Sequence, residues 1–136
     1  MDGIQAIRRE KNLSAIVVNR RSNVRCERIL ADHRVRGIIS PNPSETVVIT
    51  DTEDADGLFC EIVKSGDDAR IESGLGCISV FGDSMLGREA TGAKLLSLLH
   101  FVGINERFVS VCEIVFTAYL NESDCDTAWK ILTKEI

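Results

Sequence analysis

Short β-rich runs alternate with stretches of helical spacing along this chain. Leu13-Ser14-Ala15-Ile16-Val17-Val18 is β-rich and too short for a helix. Ser22 is placed to cap a helix reaching about His33, with Val24, Ile29 and Leu30 on its thin apolar side. A second strand is expected over Val35 to Ile39, stopped by Pro41-Asn42-Pro43, and a third over Thr46 to Ile49. Thr52 to Asp56 reads as a helix start, with acids over its first turn and Leu58, Phe59, Ile62 and Val63 at helical spacing. Ala69 to Glu72 reads as a short strand, followed by a turn at Gly74-Leu75-Gly76.

The second half repeats this order. Cys77 to Phe81 is a strand, Gly82 to Gly87 a loop, and Thr91 to Val102 a helix that Gly103 ends. Phe108 to Val111 and Ile114 to Tyr119 are strands, and Asp124 to Lys134 is the closing helix. The halves also match locally. Glu45-Thr-Val-Val-Ile-Thr lies 68 residues before Glu113-Ile-Val-Phe-Thr-Ala, while Asp54, Asp56 and Phe59 lie 70 before Asp124, Asp126 and Trp129. Split βαβ units give antiparallel sheets with helices on one face. The expected fold class is therefore α+β, with two ferredoxin-like (βαββαβ) domains in tandem.

At 136 residues, 44% apolar and 27% charged, the chain can bury a core and is not disordered. No apolar run approaches the ~20 residues that span a bilayer, and the start does not read as a signal peptide. Five cysteines (26, 60, 77, 112 and 125) form no CxxC pair. They read as core thiols of a reducing, cytoplasmic protein. Residues 1–36 carry 9 Lys/Arg against 4 Asp/Glu, and the rest 7 against 17. Such asymmetry is explained by oppositely charged faces pairing within one protein or its dimer.

Catalytic signatures are scarce. Gly82 to Gly87 has the glycines of a P-loop, but Arg88-Glu89 stands where Lys-Ser/Thr would grip phosphate and magnesium. Thr52 to Gly57 resembles an EF-hand start, yet a helix N-terminus explains its acids better. No His/Cys cluster has zinc spacing, and His33 and His100 fall near helix C-termini, where they can help cap carbonyls. No catalytic residue, metal site or cofactor is expected. Neither nucleic acid nor membrane is expected as a partner: the aromatics form no stacking platform for nucleic acid, and no apolar run is long enough to span a bilayer. Arg20, Arg21, Arg25 and Arg28 gather at the first strand-to-helix junction, a place suited to an anion or to a solvated helix face.

Ile78-Ser-Val-Phe-Gly82-Asp-Ser-Met85, Gly92-Ala93-Lys94-Leu-Leu-Ser-Leu98 and Gly103-Ile104-Asn105 together resemble the C-terminal ACT domain of aspartokinases. In the first half, Gly3-Ile-Gln-Ala-Ile7, Asn12-Leu-Ser14, Ile29-Leu30-Ala31, His33 and Ser44-Glu45 resemble the same family's lead-in and first ACT domain. The resemblance implies a regulatory tandem-ACT region without the kinase domain, so no enzyme by itself. By that likeness the lead-in strand joins the second sheet. The first ACT domain, 10–73, is then an insertion, and 1–9 with 74–136 form the second.

The resemblance further implies feedback control of aspartate-family amino-acid biosynthesis, with lysine or threonine as effector. Partners would be the aspartokinase catalytic domain and a second copy of the chain, paired through ACT domains. The implied effector-binding residues are Asn19, Ser22, Asn23, Val24, Gly37, Ile38, Ser44 and Glu45. Lysine-sensitive members place Val-Asp where this chain has Gly37-Ile38, so the carboxylate for an effector ammonium is missing there. In the plainer alternative Ser44 closes a turn and Glu45 pairs with an arginine such as Arg36. The rival function is a free-standing ACT-like dimerisation or interaction module with no small-molecule effector.

Overall fold

In a computed structural model describing residues 4–19, 29–82, 85 and 89–135, the chain divides into two compact units. One is Asn12–Leu75, and the other joins Met1–Lys11 to Gly76–Ile136. We call them the inner and outer units, after their nesting in sequence. The strands are β1 (Ile4–Asn19), β2 (Gly37–Asn42), β3 (Glu45–Asp51), β4 (Ala69–Gly82), β5 (Phe108–Val111) and β6 (Val115–Asn121). The helices are α1 (Thr52–Lys64), α2 (Glu89–Phe101) and α3 (Cys125–Lys134), the last preceded by a 3-10 turn at Glu122–Asp124.

In the inner unit the strand order is β2-β3-β1-β4. β3 pairs antiparallel with β1, from Leu13 opposite Asp51 to Asn19 opposite Glu45, and with β2 on its other side. Ile16, Val18 and Val48 share one sheet face and bury Leu58 and Ile62 of α1, with Ile29 and Leu30 packed beside them. The alternate positions Leu13, Ala15, Val17, Val47 and Ile49 are buried too. Full burial stabilises each such aliphatic chain by about 1.5–3 kcal/mol. In the outer unit the order is β1-β4-β6-β5, and Ile78, Val80, Phe116, Ala118 and Leu120 pack on Leu95 and Leu99 of α2 and on Ala128 and Leu132 of α3. Both units thus have the ferredoxin-like strand order, with helices packed on one sheet face.

The strands run further than the sequence pattern indicates. β1 is one strand of 16 residues and β4 one of 14. The expected turn at Gly74-Leu75-Gly76 lies inside β4. There Gly74 takes a left-handed φ of 73°, and within β1 Asn12 takes φ 61°, a conformation Asn adopts more readily than most residues. Gly76 answers a different constraint. A Cβ there would stand 2.4 Å from the Cys125 sulfur and 2.6 Å from the Glu10 carbonyl oxygen, so only glycine fits. β2 likewise continues through Pro41, which is tolerated because β2 is an edge strand. Its pairing with β3 shifts register between Ile39 and Asn42, a one-residue bulge.

That bulge corrects the repeat alignment. Ile38 lies opposite Val48 as Val109 lies opposite Ala118, and Asp51 ends β3 as Asn121 ends β6, 70 residues apart. Glu45 therefore corresponds to Val115, not Glu113, which lies in the turn before β6. At the same offset of 70, buried Ala55, Leu58 and Ile62 match buried Cys125, Ala128 and Leu132.

Most of the helix expected over Ser22 to His33 lies outside the described residues, as do Arg20, Arg21, Arg25, Cys26 and Arg28; residues 29–31 are helical. The two histidines bond carboxylates. His33 Nε2 lies 2.6 Å from Glu61, and His100 pairs with Glu106. The basic N-terminal stretch pairs within its own unit. Arg9 and Lys11 both reach Asp126, and Arg9 also stacks over Trp129, whose indole N–H donates to the Ile7 carbonyl. Lys11 first, then its neighbours, hold the Asp126 carboxyl below its ordinary value.

Cys77 and Cys125 are buried as core thiols, whereas Cys60 and Cys112 are exposed. Cys60 sits on the solvent side of α1, and Cys112 beside the β5–β6 turn. Burial first, and neighbouring Cys77 second, push the Cys125 thiol up to about 11. Three outcomes follow. Gly76→Ala should cost about 1–3 kcal/mol in urea unfolding, and Cys125→Ala should not restore it fully, because the Glu10 carbonyl remains. A thiol reagent at pH 8 should modify Cys60 and Cys112 in the native protein and spare Cys77 and Cys125. Above pH 9 the unfolded thiol ionises first, so the stability that protonated Cys125 contributes is lost as pH rises toward 11.

Candidate functional site

The carboxyl end of β1 organises a cleft in the inner unit. Asn19, the last residue of β1, stands opposite Glu45, the first of β3, and its backbone N–H donates to the Asp68 carbonyl at 2.9 Å. Three strands are thereby tied together at one end of the sheet. The cleft has a volume of about 550 Å³ and is lined by Val17, Asn19, Ser44, Glu45, Asp68, Ala69 and Arg70. That volume is ample for an amino acid. Val17 and Asn19 share one side of β1, opposite the side on which Ile16 and Val18 bury α1, so the cleft opens on the sheet face away from the helices.

Its charge is arranged around Glu45. The Asn42 side-chain amide donates to Oε1 at 3.0 Å, and Arg70 Nη1 donates to Oε2 at 3.1 Å. The Asn42 bond first, then Arg70, hold the Glu45 carboxyl below its ordinary value, against a small opposing loss of hydration. Asn42 also organises the turn. Its Oδ1 accepts both the Ser44 backbone N–H at 2.9 Å and the Ser44 hydroxyl at 2.8 Å. This Asx-type bridge explains how β2 passes Pro41-Asn42-Pro43 and still delivers Glu45 to the cleft. The cleft thus offers a polar wall on β3, an apolar floor at Val17 and a charged wall at Asp68 and Arg70.

Of the residues expected at an effector site, Asn19, Ser44 and Glu45 meet here. Ser22, Asn23 and Val24 lie outside the described residues. Gly37 and Ile38 do not line the cleft. They stand opposite Ile49 and Val48, three to four residues along β3 from Glu45, a separation of about 10–13 Å. The arginine partner of Glu45 is Arg70, while Arg36 pairs with Asp51 at 3.3 Å. Asp68 and Arg70 carry no motif, and the signal that could have found them is the alternation Asp68-Ala69-Arg70-Ile71-Glu72 once its apolar members are assigned to the helix side. A separate acidic group, Asp51, Glu53 and Asp54, lies where α1 begins and matches the helix dipole.

No protein-family model and no curated protein sequence matches the chain. Solved structures do match its fold. The regulatory subunit of aspartate kinase from Thermus thermophilus superposes with a TM-score of 0.83 at 13% identity, over 96% of this chain and 97% of that one. The corresponding subunit from Thermus flavus gives 0.86 at 12% identity, over 98% of both chains. E. coli aspartokinase III, crystallised with lysine and aspartate in its T-state, gives 0.76 at 15% identity, over 96% of this chain but 33% of that one. The chain has the fold of these regulatory subunits over essentially its whole described length, and it spans about a third of the length of the E. coli enzyme.

The hydrogen-bond order around Glu45 sets a measurable outcome. Followed by side-chain carboxyl NMR, Asn42→Ala and Arg70→Ala should each raise the Glu45 titration midpoint toward the ordinary glutamate value. The pairing helps folding above the unfolded-state value and that help is lost as pH falls through the folded one. Unchanged midpoints in both variants would contradict the geometry.

Proposed function

We propose that this chain is an amino-acid-sensing regulatory region of the aspartokinase type, controlling a kinase catalytic domain in aspartate-family amino-acid biosynthesis. The observation that carries the reading is a full-length match to regulatory subunits combined with the polar cleft where Asn19, Ser44 and Glu45 meet. On this reading the two units are tandem ACT domains, the first inserted into the second, and the protein works in the cytoplasm. The effector is lysine, or failing that threonine, bound by Asn19, Ser44 and Glu45 together with Ser22, Asn23 and Val24 of the following segment. Lysine is favoured because, among the described lining residues, the acids Glu45 and Asp68 outnumber the one base, Arg70.

Control requires the effector to prefer one arrangement of the assembly, with a coupling typically of ~1–3 kcal/mol. The assembly we propose is a homodimer paired through ACT domains. Edge strands support it: β2 exposes Ile38 at 56%, and β5 exposes Val111 at 39%. The rival, an interaction module without an effector, is favoured by one observation: Glu45 already has two partners. Calorimetry separates them. The parent chain should bind L-lysine, Glu45→Lys should lose that binding with a melting temperature within a few degrees, and Glu113→Lys should keep it. Absence of binding by lysine, threonine and methionine would favour the rival. Sedimentation at tens of micromolar should show a dimer, and a stable monomer would contradict the assembly.

A further inference from the structure

The charged wall of the cleft belongs to β4 and to the residue just before it. Ala69 and Ile71 pack toward the helix-side core, so strand alternation turns Arg70 to the cleft. β3 and β4 flank β1 and are therefore about 9–10 Å apart. The Arg70 guanidinium crosses that gap to Glu45. Asp68 is exposed, lines the same cleft and, among the described residues, has no ion-pair or side-chain hydrogen-bond partner. Among the described residues, the cation of the cleft thus leans toward β3, and the Asp68 carboxylate beside β4 has no charged partner.

Resting on the sensing reading above, we propose that Arg70 and Asp68 set the effector class. Arg70 takes the ligand carboxylate, and Asp68 takes the side-chain ammonium of a diamino acid such as lysine. The guanidinium has donors for both tasks. Glu45 engages Nη1 at 3.1 Å, while Glu72 stands 3.9 Å from Nη2, beyond hydrogen-bond reach. A carboxylate approaching Nη2 therefore shares the fork with Glu45 and need not displace it. A neutral side chain such as that of threonine leaves the Asp68 charge uncompensated beside the bound ligand. A diamino acid offers one charged group to each of these two opposite charges.

Calorimetric titration of the whole chain tests this with L-lysine, norleucine, which lacks the side-chain ammonium, and cadaverine, which lacks the carboxylate. The parent should bind lysine about tenfold or more tightly than norleucine. Asp68→Asn should erase that preference by weakening lysine alone. Arg70→Gln should weaken lysine and norleucine about tenfold and leave cadaverine unchanged. Both substitutions are at exposed positions, and unchanged thermal melts verify the fold. Lysine binding equally well to the parent and both variants would overturn the assignment and leave the sensing reading standing, as would a parent that binds threonine but not lysine. A parent that binds none of these amino acids would overturn both.

Discussion

Everything in this chain depends on two neighbouring strands of its six-stranded sheet that each run through both units. β1 and β4 are long because each supplies one segment to the outer unit and one to the inner unit. The division falls at Lys11/Asn12 in one strand and at Leu75/Gly76 in the other. At those places the backbone departs from regular extension: Asn12 and Gly74 are left-handed, and Gly76 must lack a side chain. Two left-handed residues and one glycine that leaves room for its neighbours therefore let one strand pair belong to two cores. Asn and Gly are the residue types that enter that conformation at low cost.

The cleft inherits its geometry from the same strands. The register of β1 against β3 puts Asn19 opposite Glu45, and the Asn19 bond to the Asp68 carbonyl fixes where β4 begins. Because Ile16 and Val18 are committed to the helix side, Val17 and Asn19 must face the other way. Folding and site are thus one arrangement: the alternation that builds the inner core also aims Glu45 and Arg70 at each other. The Asn42 bridge adds the last element, holding a proline-flanked bulge in the shape that brings Ser44 and Glu45 to the cleft edge.

Much of this was legible in the sequence. Helical spacing in Leu58, Ile62, Ala128 and Leu132 and alternation in Phe108 to Val111 led directly to the helices and strands observed. Their order pointed to the ferredoxin-like fold. The pattern failed at Gly74-Leu75-Gly76 and at Pro41, because glycine and proline mark turns locally while sheet pairing and edge position decide their tertiary meaning. It misplaced the repeat by two residues at Glu113, since a match of residue types does not fix which residues begin and end paired strands. Cys60 and Cys112 were misread as core because an apolar neighbourhood in sequence is not a buried face. At the site, Ser44 and Glu45 were visible through family likeness. Asp68 and Arg70 were not: the alternation from Asp68 to Glu72 tells which residues share a strand side, but not that Arg70 crosses β1 to pair with Glu45.

An amino acid sensed in the cleft at the end of β1 and the beginnings of β3 and β4 should be visible in a crystal structure of the chain grown with saturating L-lysine. Lysine is expected in the inner unit against Val17 and Asn19, with its carboxylate at Arg70 and its side-chain ammonium at Asp68. Lysine bound only in the outer unit, or a cleft that stays without ligand at saturation, would contradict it.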